Sequence, residues 1–321
     1  MDLKIGLHDV EEVIDAALSG NDTEMLDAYR IFESFKTHCF QDYLKILIYI
    51  AYNQTGTANE EIKRHFAALL ISNIISPLDL DTRTRTKKAY QKIDIEDRTK
   101  IGQYVLGGAQ SKNITMRNIS CKTFASILSL FPDKSVIFEF MTLVNQIDTG
   151  EVDNTVLQAI LGIISEILES RPRFSSINQT WFTEIFKKVI VLCRAILSTN
   201  NSSCIDDDSC QTRAMAANIC KLGIQKQILD ESHINIILET AQSLYTGNVN
   251  VTQELLDMYL AIFVTNHDNG LKIIETFMPL LENLLESENE RTMILLMLND
   301  IAVRETNDFA SHDRELQEKS I

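Results

Sequence analysis

The sequence predicts an all-α protein, a right-handed α-solenoid of about seven stacked helix pairs, and three observations carry the prediction. The 321 residues contain only 11 Gly and 4 Pro, where average usage of about 12% would give roughly 38 chain breakers. Apolar residues recur at three- and four-residue spacing along almost the whole chain, the period of helices that bury one face. The length passes the roughly 250 to 300 residues at which one core stops growing, and a single bundle of about fifteen helices is an improbable alternative.

The helices pair as 8–18 with 22–37, 39–53 with 58–76, 95–109 with 112–131, 134–147 with 152–169, 178–197 with 207–224, 231–245 with 250–266, and 269–286 with 288–305. Short polar runs separate them and supply Ser, Asp, Asn or Thr for the next N-cap. Gly20, Gly56 and Gly150 fall between helices, and Pro77, Pro132 and Pro279 fall at helix ends or first turns. In 155–168 the apolar stripe of Val156, Leu157, Ile160, Leu161, Ile163, Ile164, Ile167 and Leu168 is wider than a two-helix seam needs, so this helix is expected to be buried on more than one side.

The second helix of a pair carries a small residue near its middle: Ala68, Ala125, Ala159, Ala217, Ala261 and Ala302. Small residues there are expected to let neighbouring helices approach closely. The steps from Ala217 to Ala261 and from Ala261 to Ala302 match the period of about 40 to 47 residues of HEAT and armadillo units, which makes the pairs HEAT-type. The expected organisation is one continuous solenoid with a first region at 1–110, further repeats at 111–305 and a polar segment at 306–321. Ile294, Leu295, Leu296, Leu298 and Ile301 make the seventh pair resemble an interior repeat, so the chain is expected to be the front of a longer solenoid cut short at its C-terminus.

A formal charge of −15, from 45 acidic against 30 basic residues, disfavours phosphate backbones and anionic membranes as default partners and favours basic ones. The six cysteines (Cys39, Cys121, Cys193, Cys204, Cys210, Cys220) form no CxxC pair, and reduced, mostly buried thiols are expected. The N-terminus lacks a basic-then-apolar signal pattern, and no apolar run of about 18 residues follows. Cytoplasm and nucleus are the expected compartments.

No GxGxxG, GxxxxGK[ST], HExxH or GxSxG occurs, and neither catalysis, a cofactor nor a metal is expected. Gly107 to Ser111 reads as a helix C-cap and turn. His38 and Cys39 are adjacent, so they point about 100 degrees apart on a helix, poor geometry for a nucleophile and base. Asp206, Asp207 and Asp208 read as a solvated run before a helix N-terminus. The basic cluster of Arg83, Arg85, Lys87, Lys88 and Lys92 reads as a solvated loop, a nucleic-acid patch being the weaker alternative.

The stretch from Arg64 to Asn73 (RHFAALLISN), then a loop, then Ala89 to Leu106 (AYQKIDIEDRTKIGQYVL) resembles the N-terminal domain of the karyopherin, or importin-β, family. Ser72 stands where that family usually has lysine. Downstream, Leu157 to Ile163 resembles the inner helix of the fourth repeat and Ile274 to Leu280 the outer helix of the seventh, in the family's order. The resemblance implies a nuclear transport receptor fragment without catalysis. Its inner helices would bind Ran-GTP on a concave face through Arg64, Asn73, Lys122 and Asp153. Its outer helices would take Phe-Gly nucleoporins on a convex face, at the positions of Phe186, Ile190, Ile234 and Phe277. Phe186 and Phe277 are expected to be partly exposed, while Ile234 reads slightly better as core. Lys187, where the family has a small polar residue, would lend its aliphatic stem to the slot. Ile190→Asp is expected to weaken nucleoporin binding without unfolding. Importin α or basic cargo would bind through repeats beyond those present, and the nuclear pore joins cytoplasm and nucleus as a location. The rival reading is a HEAT scaffold subunit of another complex, of phosphatase or vesicle-coat type, with no Ran dependence.

Overall fold

A computed structural model describes residues 5–53, 58–77, 79–149, 152–170, 180–198, 207–229, 249–265 and 291–303, with positions 234, 237 and 288. The described residues are helical with short connections and contain no strand. They form two compact units, Met1–Ile167 and Leu168–Ile321. The sequence boundary near 110 falls inside the first unit, at a turn between two helices that pack on each other.

The first unit holds α1 (Leu7–Leu18), α2 (Asp22–His38), α3 (Phe40–Asn53), α4 (Ala58–Ile75), α5 (Leu80–Gln91), α6 (Ile95–Ala109), α7 (Ile114–Leu130), α8 (Lys134–Asn145) and most of α9 (Asn154–Glu169), with a 3-10 turn at Gln146–Thr149. The predicted pairs appear with their helix ends within two residues of the expected ones. Their ends have local causes. Asn21 accepts from the amides of Thr23 and Glu24 and opens α2, and Asn113 accepts from Met116 N at 3.0 Å and opens α7. Gly20 sits at φ 75° between α1 and α2, a left-handed turn that a side chain would strain.

The pairs stack in rows. In one row α3, α6 and α8 run side by side in the same direction. Lys45 of α3 reaches Asp97 of α6 at 2.6 Å, the Thr99 and Ser135 hydroxyls meet at 2.8 Å, and Gln103 donates to Glu139 at 2.9 Å. In the other row α4 packs on α7, where Asn113 donates to Glu61 at 2.6 Å, and Cys121 of α7 reaches the Ala159 carbonyl of α9 at 3.8 Å. Core side chains between the rows include Leu47, Ile71, Val105, Phe124 and Phe140, all with no exposed surface. Close approach is required at Gly108, whose Cβ position is occupied by the Tyr52 ring and the Ser120 hydroxyl, themselves bonded at 3.1 Å. Glycine is the residue that lets these helices meet.

The second unit contains α10 (Thr180–Ser198), α11 (Asp207–Gln225), α12 (Val249–Thr265) and a helical stretch at 291–303. The predicted helices 231–245 and 269–286 lie outside the described residues, apart from positions 234 and 237. Ala68, Ala125, Ala159, Ala217 and Ala261 are buried, as close packing requires. Ala302 is exposed and does not serve as such a contact, because on 291–303 the buried positions are Ile294, Met297 and Ile301, a different face.

The basic cluster corrects the loop expectation. Residues 80–91 form helix α5, capped by Asp79, which accepts from Thr82 N at 2.7 Å. Its sequence is too polar to show an apolar stripe, and two buried side chains hold it instead. Thr86 is buried, and Tyr90 stacks on Phe131 with ring centroids 4.3 Å apart.

Candidate functional site

α4 packs against α3 on one side and α7 against α6, so the exposed residues of α4 and α7 share the side of the row that faces away from α3 and α6. Asn73 and Lys122 are both exposed there. Asp153 is also exposed, yet it works locally: its carboxylate accepts from Thr155 N at 3.3 Å and its carbonyl from Val156 and Leu157, opening α9. Arg64 is half-buried, its Nε donating to the Ala51 carbonyl near the end of α3 at 3.1 Å. Of the four predicted Ran-binding residues, two therefore present unengaged side chains and two hold the fold together. Ile62, Leu69 and Ile114 are exposed on the same helices. They offer apolar area that the sequence analysis did not single out, although their i, i+7 spacing on α4 was readable.

The nucleoporin positions need a correction. Phe186 is 3% exposed and Ile190 1%; both are core, where Phe186 stacks on Phe182 at 5.8 Å. Ile234, at 7%, is buried too, in keeping with its core reading, and Phe277 lies outside the described residues. The expected partial exposure of Phe186 fails because α10 turns that face inward. One residue further along, Lys187 is exposed and Val191 is 61% exposed, so the solvent-facing side of the helix lies about 100 degrees away. Elsewhere Tyr49, Tyr104 and Phe138 are exposed, one on each of α3, α6 and α8.

The second unit carries a groove. A cavity of about 710 Å³ is lined by Glu169, Asn218, Lys221, Asp257, Leu260 and Val264 among others, and a neighbouring one of about 290 Å³ shares Asp257 and Leu260 and adds Leu296 and Asp300. Lys221 is neutralised by Glu254 at 2.9 Å and Asp257 at 3.7 Å, leaving the groove acidic with apolar walls.

The described thiols are buried. Desolvation, with the Glu166 charge adding, pushes Cys121 up to about 12, and Cys193 is raised well above the ordinary thiol range by burial and by Cys220 beside it. Cys204 lies outside the described residues. His38 is exposed and Cys39 buried, so the adjacent pair faces two environments. Asp207 opens α11, as the helix-start reading requires, and Gly107 and Gly108 close α6 with backbone bonds to Gln110 and Ser111. Among the described residues no group of three or more His, Cys, Asp or Glu is placed to hold a metal ion, and no helix is long and apolar enough to cross a membrane.

No family model and no curated protein matches the chain. Solved structures do. Yeast importin-β (Kap95p) superposes with a TM-score of 0.76 at 12% identity, covering 98% of this chain and 36% of that one. An importin-β structure gives 0.70 at 15%, covering 92% and 34%, and a complex of Kap95 with Nup1 gives 0.71 at 13%, covering 96% and 36%. Kap95p in a structure where its binding induces the switch loops of RanGDP to adopt the GTP-bound conformation gives 0.73 at 12%, covering 96% and 35%. The chain spans about a third of the length of the solved chains it matches. Its fold is the HEAT-repeat α-solenoid. More narrowly, that fold is similar to the solenoid seen in importin-β structures.

Proposed function

We propose that this chain is a nuclear transport receptor fragment that binds Ran-GTP on the α4 and α7 side of its first unit and Phe-Gly nucleoporins elsewhere, shuttling between cytoplasm and nucleus through the pore. The observation that carries the reading is the likeness of nearly the whole chain to Kap95 structures, among them complexes with Nup1 and RanGDP. On this reading Asn73 and Lys122 contact Ran directly, and Arg64 and Asp153 act through the helix ends they fasten. The nucleoporin slot on α10 is assigned to Lys187 and Val191, the exposed neighbours of Phe186 and Ile190. A phenylalanine ring in a shallow groove gives a weak, fast-exchanging site, and avidity comes from repetition. The acidic groove of the second unit is complementary in charge to a basic peptide segment.

The test is a pull-down of Ran loaded with a non-hydrolysable GTP analogue or with GDP. Preferential retention of the GTP form supports the reading, and Lys122→Ala then lowers it severalfold. Equal retention, or none, sinks it and leaves a HEAT scaffold without Ran dependence. Val191→Asp is expected to reduce retention on a Phe-Gly column at unchanged stability; unchanged retention would refute the slot.

A further inference from the structure

Helix α5 lies outside the pairs that the repeat requires, and it is held firmly. Tyr90 and Thr86 are buried, Asp79 caps its start, and Arg83 donates to the Pro77 carbonyl at 3.4 Å. Its outward side carries Arg85, Lys88 and Lys92, exposed at i, i+3 and i+7 and so in one stripe. No ion pair among the described residues engages these three, in a chain with 45 acidic residues against 30 basic ones. Beside the stripe a cavity of about 280 Å³ is lined by Arg85, Thr82 and Thr86 of α5 and by Glu33, Lys36 and Thr37 of α2. Lys36 is held there by Glu33 at 2.8 Å, so the rim includes one carboxylate already matched to a cation.

We propose that the outer stripe of α5, with the cavity beside it, docks a short acidic segment of a partner protein, its carboxylates on Arg85, Lys88 and Lys92. Charge complementarity selects an anion, and three features select a peptide. The stripe spans seven residues of helix, about 10 Å, the reach of roughly three residues of extended chain. The only ring of α5, Tyr90, is buried against Phe131, and the cavity offers one further ring, Phe40 of α3, so there is no row of rings on which successive bases could stack. The remaining chain is acidic enough to bring the total to −15; it repels a long polyanion or an anionic bilayer, while a short segment feels mainly charges within a screening length of about 10 Å. Such docking is fast and salt-sensitive. It needs neither Ran nor nucleoporin binding.

The experiment uses the intact chain and a fluorescently labelled twelve-residue Glu-rich peptide, followed by anisotropy. Binding should weaken by about tenfold as salt rises from about 50 to 200 mM. It should fall by about tenfold or more in the triple variant Arg85→Glu, Lys88→Glu, Lys92→Glu, and stay unchanged in Lys87→Glu, which lies around the helix from the stripe. If the triple variant melts early, the single variant Lys92→Glu should still weaken binding severalfold. No binding by the parent chain, or equal binding by these variants, overturns the proposal. So does a single-stranded oligonucleotide or a phosphatidylserine vesicle that binds more tightly than the peptide and is lost in the same variants.

Discussion

Ile190 and Val191 are adjacent, similar in size and opposite in fate: one is 1% exposed and the other 61%. Placing a carboxylate at 190 buries an unpaired charge. Ile190→Asp is therefore expected to lower unfolding free energy by about 3 kcal/mol or more, whereas Val191→Asp should stay within about 0.5 kcal/mol of the parent, both read by urea denaturation. The sequence showed that α10 is amphipathic with Phe and Ile on its stripe, but a stripe is visible as a set of residues and not as a boundary between wall and slot. Which of two neighbours faces water depends on the rotation of α10 against its packing partners. At Gly108 the constraint is steric. Gly108→Ala drives a methyl into the Tyr52 ring and the Ser120 hydroxyl and should cost about 1 to 3 kcal/mol. Calorimetry checks this, and Gly107→Ala, where a Cβ meets nothing within 4 Å, is the control.

The helices themselves divide into those whose cause is local and those whose cause is not. α7 is announced by Asn113, and Asn113→Ala should cost about 1 kcal/mol through the lost cap alone, more if the bond to Glu61 is also counted. Most of the predicted pairs were legible in this way, from apolar periodicity bounded by capping residues. α5 was not. Apart from Leu80 at its start, its apolar residues are Ala89 and Tyr90, and what keeps it helical is burial of Tyr90 against Phe131, a residue 41 positions away. Burial pushes the Tyr90 hydroxyl well above its ordinary range, with the Asp133 charge adding, and that hydroxyl has no hydrogen-bond partner among the described residues. Tyr90→Phe is accordingly expected to be neutral or to stabilise by up to about 1 kcal/mol, while Tyr90→Ala should cost about 3 kcal/mol and loosen α5, seen as faster amide exchange in residues 80–91.

At the scale of the whole molecule, charge sets the behaviour. Asp97 is held below the ordinary carboxylate range by the hydrogen bond and charge of Lys45, and Asp79 by the Thr82 hydroxyl and amide. Both folded pKa values are depressed. The stability they contribute is fully present above the unfolded aspartate value near 4 and is lost as pH falls through the lower folded values. The melting temperature should be level from neutral pH to about 5 and fall below about 4, and the fall should be smaller in Asp97→Asn. A net charge of −15 adds self-repulsion at neutral pH, so moderate salt should raise the melting temperature. That trend is opposite in sign to the salt-weakened docking expected on α5, which keeps the two effects separable.

The scarcity of Gly and Pro, the three-to-four spacing of apolar residues and the capping polar runs determined by themselves that the chain is a stack of paired helices, because those features act over a few residues and need no partner. The α5 helix, the burial of Phe186 and Ile190, and the engagement of Arg64 at the end of α3 were decided only by the tertiary structure. Each depends on what another helix places beside it, and a hydrophobic stripe specifies that a face is covered without specifying which neighbour covers it or how far around the helix the cover extends.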